Sequence, residues 1–124
     1  MAYTPNDRQE LWRLLTIGQG RLRAAFTARL KAECNLTAAQ FEALVVLHEA
    51  EDATLTMSNL SRRVLYSIGS TTNLVKQLEE RGLVLRRDAQ TDGRSVWVTL
   101  TAAGDELITH ARALHSRDLA EHFE

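Results

Sequence analysis

Between Ser67 and Leu100 the apolar spacing changes from three-to-four to two, with a glycine at the change. Thr71, Leu74, Val75 and Leu78 mark one face of a helix. Ser67 can cap its first turn, and Gly82 can end it in a left-handed conformation. Leu83 to Arg87 then reads as a strand. Val96 to Leu100 alternates and reads as the returning strand. The polar loop Asp88 to Arg94 between them carries a turn signal at Asp92-Gly93. A helix that feeds straight into a hairpin fits few small folds.

The upstream sequence narrows the choice. Residues 6–33 read as a long helix, with Leu11, Leu15, Leu22, Phe26 and Leu30 at helical spacing and Asn6 as its cap. Gly18 and Gly20 interrupt it, each at about 1 kcal/mol against alanine. Either the helix bends there, or another backbone comes close, or the pair is a tolerated surface feature. Thr37 and Gln40 have the spacing of a capping box, which opens a second helix through Phe41, Leu44, Val45, Leu47 and His48. Glu49 to Ala53 is polar and breaks it. Leu55-Thr56 is a short extended piece. Thr56 or Ser58 then caps a brief helix to Leu65, with Leu60 and Val64 on its buried side. After the hairpin, Thr101 caps a last helix with Leu107, Ile108, Ala111 and Leu114 on one side.

The order is therefore helix, helix, short strand, short helix, longer helix, hairpin, helix. The expected fold is mostly α with a small antiparallel β wing: a winged helix-turn-helix flanked by helices at both ends. The expected organisation is one domain over 1–124, with a reading lobe over 36–101.

Composition agrees and excludes several classes. A chain of 124 residues with 44% hydrophobic residues can build one core. The polar start has no secretory pattern, and no stretch reaches the ~18 apolar residues of a membrane span. One cysteine, Cys34, forms no internal disulfide and no paired zinc motif. A cytoplasmic location is expected, and Cys34 reads as a structural thiol. The histidines at 48, 110, 115 and 122 form no metal motif, so no metal and no cofactor are expected. No nucleophile–base set or phosphate-cradling glycine loop is present, so the chain is not expected to be an enzyme.

Net charge is −1, yet it is unevenly spread. Residues 62–94 hold seven Arg/Lys against four acids, a balance of +3, and residues 101–124 hold two against five, a balance of −3. A basic middle with an acidic tail suits a surface that faces phosphate on one side; a chance asymmetry of a solvated surface has the same look.

On the helix from Ser67, the core line leaves Ile68, Gly69, Thr72, Asn73 and Lys76 outside. Asn73 has the donor and acceptor to pair with an adenine edge, Thr72 can bond a base or phosphate, and Ile68 can touch a thymine methyl. Gly69 removes bulk where the helix would enter a groove. Lys76 suits a phosphate. An ordinary amphipathic helix with a polar face is the other reading of these residues. The hairpin adds weight: Arg94 sits where a wing loop needs a cation over the minor groove, and Asp92 can brace its guanidinium. Arg86 and Arg87 lie on the incoming strand within reach of phosphate.

Leu36-Thr37-x-x-Gln40-Phe41 resembles the multiple antibiotic resistance regulator (MarR) family. So do Leu60, Thr72, Leu74-Val75-x-x-Leu78-Glu79-x-x-Gly82-Leu83-Val84-x-Arg86, and Asp92-x-Arg94 with Val98-x-Leu100-Thr101-x-x-Gly104. The resemblance covers about residues 36–104. It implies a homodimer on a pseudo-palindromic operator in double-stranded DNA, repression, and release by a small-molecule effector or by cysteine oxidation. It puts Ser67, Thr72 and Asn73 among recognition-helix contacts and Asp92 with Arg94 on the wing. Residues 6–33 and 102–124 would form the dimer interface. Gly69 and Asn73 depart from the side chains usual in the family, which leaves the operator sequence open, and twenty residues follow Gly104, fewer than the family usually carries. The effector pocket is not legible. The rival reading is a winged-helix protein-interaction module that never reads bases.

Overall fold

The structure, a computed structural model, describes residues 23–88 and 95–123, with side chains to residue 117. The sequence expectations for residues 6–22, including the cap at Asn6 and the pair Gly18 and Gly20, lie outside the described residues. So does the wing tip with Asp92, Gly93 and Arg94.

Helix α1 is described from residue 23 and closes with a wide turn, Leu30–Cys34. It stops at Asn35, which takes the left-handed conformation (φ 53°) that asparagine tolerates. Helix α2 (Ala38–Glu49) opens on the expected capping box: the Gln40 amide donates to Thr37 Oγ1 at 3.1 Å, and the Thr37 amide donates to Gln40 Oε1 at 3.0 Å. It buries Ala43, Leu44 and Leu47, while Phe41, Val45 and Val46 pack partly buried against the same core. A single tight turn, Glu51–Ala53, breaks the chain before strand β1 (Thr54–Thr56).

Helix α3 (Met57–Val64) starts at Thr56, whose hydroxyl accepts from the Asn59 amide, so Thr56 and not Ser58 is the cap. Leu65 ends it at φ 62°, a conformation unusual outside glycine. The Ser61 hydroxyl closes that turn on the Tyr66 carbonyl at 2.6 Å. Helix α4 (Ile68–Glu80) is capped by Ser67, and its buried line is Thr71, Leu74, Val75 and Leu78, the four residues its spacing predicts. Gly82 follows at φ 73°.

Strands β2 (Val84–Asp88) and β3 (Val96–Leu100) pair antiparallel, and β1 adds to β3, giving the order β1-β3-β2. The first hairpin strand begins at Val84, not Leu83. The Leu83 amide is already spent on the Leu78 carbonyl, the six-to-one bond that ends a helix over a left-handed glycine. Helix α5 (Ala102–Phe123) is capped by Thr101, whose hydroxyl accepts from the Gly104 amide, and it buries Ile108, Ala111 and Leu114. One apolar core joins the helices to the inner face of the sheet through Leu44, Leu60, Leu78, Val84, Val98 and Ile108. No helix among the described residues is long and apolar enough to cross a membrane.

Candidate nucleic-acid interface

Helix α4 turns its candidate residues outward because its other side is fully committed. With 100° between neighbours, burying residues 71, 74, 75 and 78 leaves 69, 72, 73 and 76 toward solvent. Ile68 is 58% exposed, an apolar side chain standing in solvent at the helix start. Nothing lies near the place a Cβ would take at Gly69, so that glycine is free of packing constraint. The Thr72 hydroxyl donates to the Ile68 carbonyl at 2.8 Å, which leaves its oxygen lone pairs outward. Asn73 and Lys76 are exposed. Ser67 is held as the cap, donating to Ser70 Oγ and accepting from the Ser70 amide. Asn73 also borders a cleft of about 410 Å³ beside the start of α2, with Tyr66, Ser70 and Gln77 on its walls.

The two strand arginines part company, as neighbours on a pleated strand must. Arg86 faces α4, where its Nε donates to Glu79 Oε1 at 3.0 Å and its backbone amide to Glu79 Oε2 at 3.2 Å. Arg87 stands exposed on the outer face, opposite Trp97 in register. It shares an open cleft of about 490 Å³ with Glu51, Asp52, Thr54 and Trp97.

Some residues matter more than their sequence positions suggested. Tyr66 donates its hydroxyl to Glu42 Oε2 at 3.1 Å, tying the α3–α4 turn to α2. Burial and the Glu42 carboxylate push the Tyr66 phenol above its ordinary range, so it stays a donor. Arg62 and Arg63 sit exposed near the end of α3, close to the start of α4 in sequence, and extend the basic surface. Arg81, itself exposed, reaches across to the Cys34 and Asn35 carbonyls at the end of α1. No local pattern announces these partners, which lie 24 to 47 residues away in sequence.

Cys34 is buried at 5% exposure. Burial first, then Glu33, pushes its thiol above the ordinary range, with Arg81 opposing in part. A thiol held protonated is a poor nucleophile. His115 stacks on Phe26 with centroids 4.4 Å apart, and Phe41 meets Phe26 edge-on at 5.1 Å, so this histidine helps pack α5 on α1 and α2.

A short helix, a turn locked by Ser61 and Tyr66, a second helix with a polar outer face and a hairpin clamped to it form a winged helix-turn-helix. The sequence profile of the MarR family matches residues 36–96, from just before the α2 cap to the first residue of β3. The chain belongs to the MarR family.

Pairwise, the chain resembles transcriptional regulators. It is 36% identical over 70 residues to an organic hydroperoxide resistance transcriptional regulator of Bacillus subtilis, covering 56% of this chain and 46% of that protein. Among solved structures, AbsC, a MarR-family transcriptional regulator of Streptomyces coelicolor, superposes with a TM-score of 0.83 at 25% identity, over 99% of this chain and 82% of that one. A mutant MarR from E. coli, solved in complex with operator DNA, superposes with a TM-score of 0.74 at 26% identity, over 97% of this chain and 84% of that one. The chain spans about half the length of the curated relatives it matches, 46% of the Bacillus regulator.

Proposed function

We propose that this chain is a sequence-specific DNA-binding transcriptional regulator, a ligand-responsive repressor that works as a homodimer on a pseudo-palindromic operator. The observation that carries the reading is α4: a helix seated on four buried residues, with Ile68, Gly69, Thr72, Asn73 and Lys76 on its outer side and a hairpin clamped beside it. In this reading α4 enters the major groove, and Asn73 and Thr72 contact base edges. Lys76 holds phosphate, and Ser67, its hydroxyl proton committed to Ser70, sets the start of α4 against the DNA. Arg94, braced by Asp92, lies over the minor groove, and Arg87 reaches the backbone. Arg86 acts chiefly through Glu79, holding the wing strand to α4. Residues 36–101 form the reading lobe of a single domain over 1–124, and residues 6–33 and 102–124 form the dimer interface. The effector is a small molecule, the site of action is the cytoplasm, and the chain performs no catalysis of its own.

The test is a salt-titrated binding measurement on the DNA upstream of the chain's own gene. Phosphate-driven binding weakens steeply with salt, with a log–log slope near −0.9 for each phosphate neutralised. Binding at low salt that falls along such a line supports the reading. Absence of binding at low salt overturns it and leaves a protein-interaction module.

A further inference from the structure

Helix α4 is fixed at its far end by two polar contacts to one corner of the molecule, where α1 gives way to α2. The Arg81 guanidinium donates to the Asn35 carbonyl at 2.7 Å and to the Cys34 carbonyl at 3.1 Å. One turn earlier, Gln77 Oε1 accepts from Gln40 Nε2 at 3.1 Å. Gln40 is itself 8% exposed and is already bound at its Oε1 by the capping box. A single glutamine thus closes the start of α2 and holds α4.

The chemistry at the α1 end is specific. The last carbonyls of a helix have no intrahelical donors and carry the negative end of its dipole. Here the Leu30 and Lys31 carbonyls are taken by the amides of Leu36 and Asn35, and the Cys34 and Asn35 carbonyls by Arg81. The cap of α1 is supplied from the end of α4, 46 residues later.

The apolar seat of α4 holds it down but is weakly directional about its roll and tilt, because burial is non-directional. Hydrogen bonds are directional and lose strength within a few tenths of an ångström. Helix α4 is about 20 Å long from Ile68 to Arg81, so a tilt of about 5° at one end moves the other by about 2 Å.

We propose that Arg81 and Gln77 are positioning residues that set the angle of α4 against the α1–α2 corner, and thereby the half-site spacing the dimer accepts. This rests on the DNA-reading function above. Neither side chain touches a base in this scheme. Each acts through the presentation of α4, on the path by which a shift of α1 would reach the recognition helix.

The experiment compares the full chain with Arg81→Met, Arg81→Lys and Gln77→Leu on operators whose half-site spacing is changed by one base pair either way. Each is measured across a salt series after a thermal melt has established folding. Arg81→Met weakens binding at the preferred spacing by about three- to thirtyfold, as expected for a residue in a coupling network. It flattens the spacing preference and keeps the wild-type salt slope. Arg81→Lys, with a shorter reach and no fork, falls between. A salt slope reduced by about one in Arg81→Met makes Arg81 a phosphate contact and overturns the proposal. Wild-type affinity and spacing preference in a folded variant overturn it too. Should Arg81→Met fail to fold, Gln77→Leu, which removes one neutral bond at an exposed position, decides by the same spacing profile. A wild-type chain that binds no DNA removes the functional reading itself, and this inference with it, before any variant is compared.

Discussion

Thr71 and Thr72 are neighbours in sequence and have opposite fates. Thr71 is fully buried, and its hydroxyl is satisfied by the Ser67 carbonyl at 2.8 Å, so a polar residue sits in an apolar line without leaving an orphan. Thr72, 100° further round, makes the equivalent bond to Ile68 and keeps its oxygen toward solvent. The same residue type is core filler at one position and a candidate reader at the next. Asn73 is exposed and carries no buried function, so Asn73→Ala should leave stability within about 0.5 kcal/mol. It should relax preference at one operator position by about 1–3 kcal/mol if the pairing is bidentate. Operator selection before and after the substitution reads this directly, and identical preferences would remove Asn73 from the readers. Arg94→Ala should weaken operator binding and lower the salt slope by about one if its guanidinium replaces counterions in the minor groove; unchanged affinity would refute the wing assignment.

At the scale of elements, the caps decide where each helix begins. Thr37 with Gln40, Thr56, Ser67 and Thr101 each place a hydroxyl on an otherwise unpaired amide three residues on. These are i to i+3 relations, which is why the starts of α2, α4 and α5 were legible from residue types alone. The start of β2 was not, because the Leu83 amide is claimed by the end of α4. Gly104 shows a tighter constraint: a Cβ there would run into the Leu83 carbonyl oxygen, which also accepts from the Thr101 amide. The glycine is therefore the point at which α5 presses on the α4–β2 junction. Gly104→Ala removes a helix-disfavouring residue, worth about 1 kcal/mol in its favour. It also forces backbone apart, and overpacking of this kind costs about 1–3 kcal/mol or more. The clash is with backbone, so the second effect wins: chemical denaturation should show a net loss of stability. A gain would mean that α5 moves aside freely.

At the scale of the whole molecule, the reading lobe is tied to the α5 side by polar contacts as well as by the core. His48 lies 3.1 Å from Asp105, and Arg112 reaches Glu49 at 3.1 Å, both joining the end of α2 to α5. These pairs are partly exposed, so each contributes little alone; Ile108, Ala111 and Leu114 carry the burial. If α1 and α5 also meet a second copy, light scattering of the 124-residue chain should give the mass of a dimer. A clean monomer at high concentration would mean that these helices do not suffice for the proposed repressor.

Among the described residues, residue order by itself determined the order of the elements, the buried line of α4 and the resemblance to the family. Those depend on relations across three to seven positions, where helical period, strand alternation and capping operate. Tertiary structure alone decided what the charged and polar residues do once the elements pack. Arg81 looked like one more cation in a basic stretch and became the cap of α1. Arg86 looked like a phosphate contact and is paired with Glu79, while Arg87 beside it faces out. A guanidinium takes whichever acceptor the fold brings within about 3 Å. For Arg81 that acceptor is 46 residues away, beyond the reach of any local pattern.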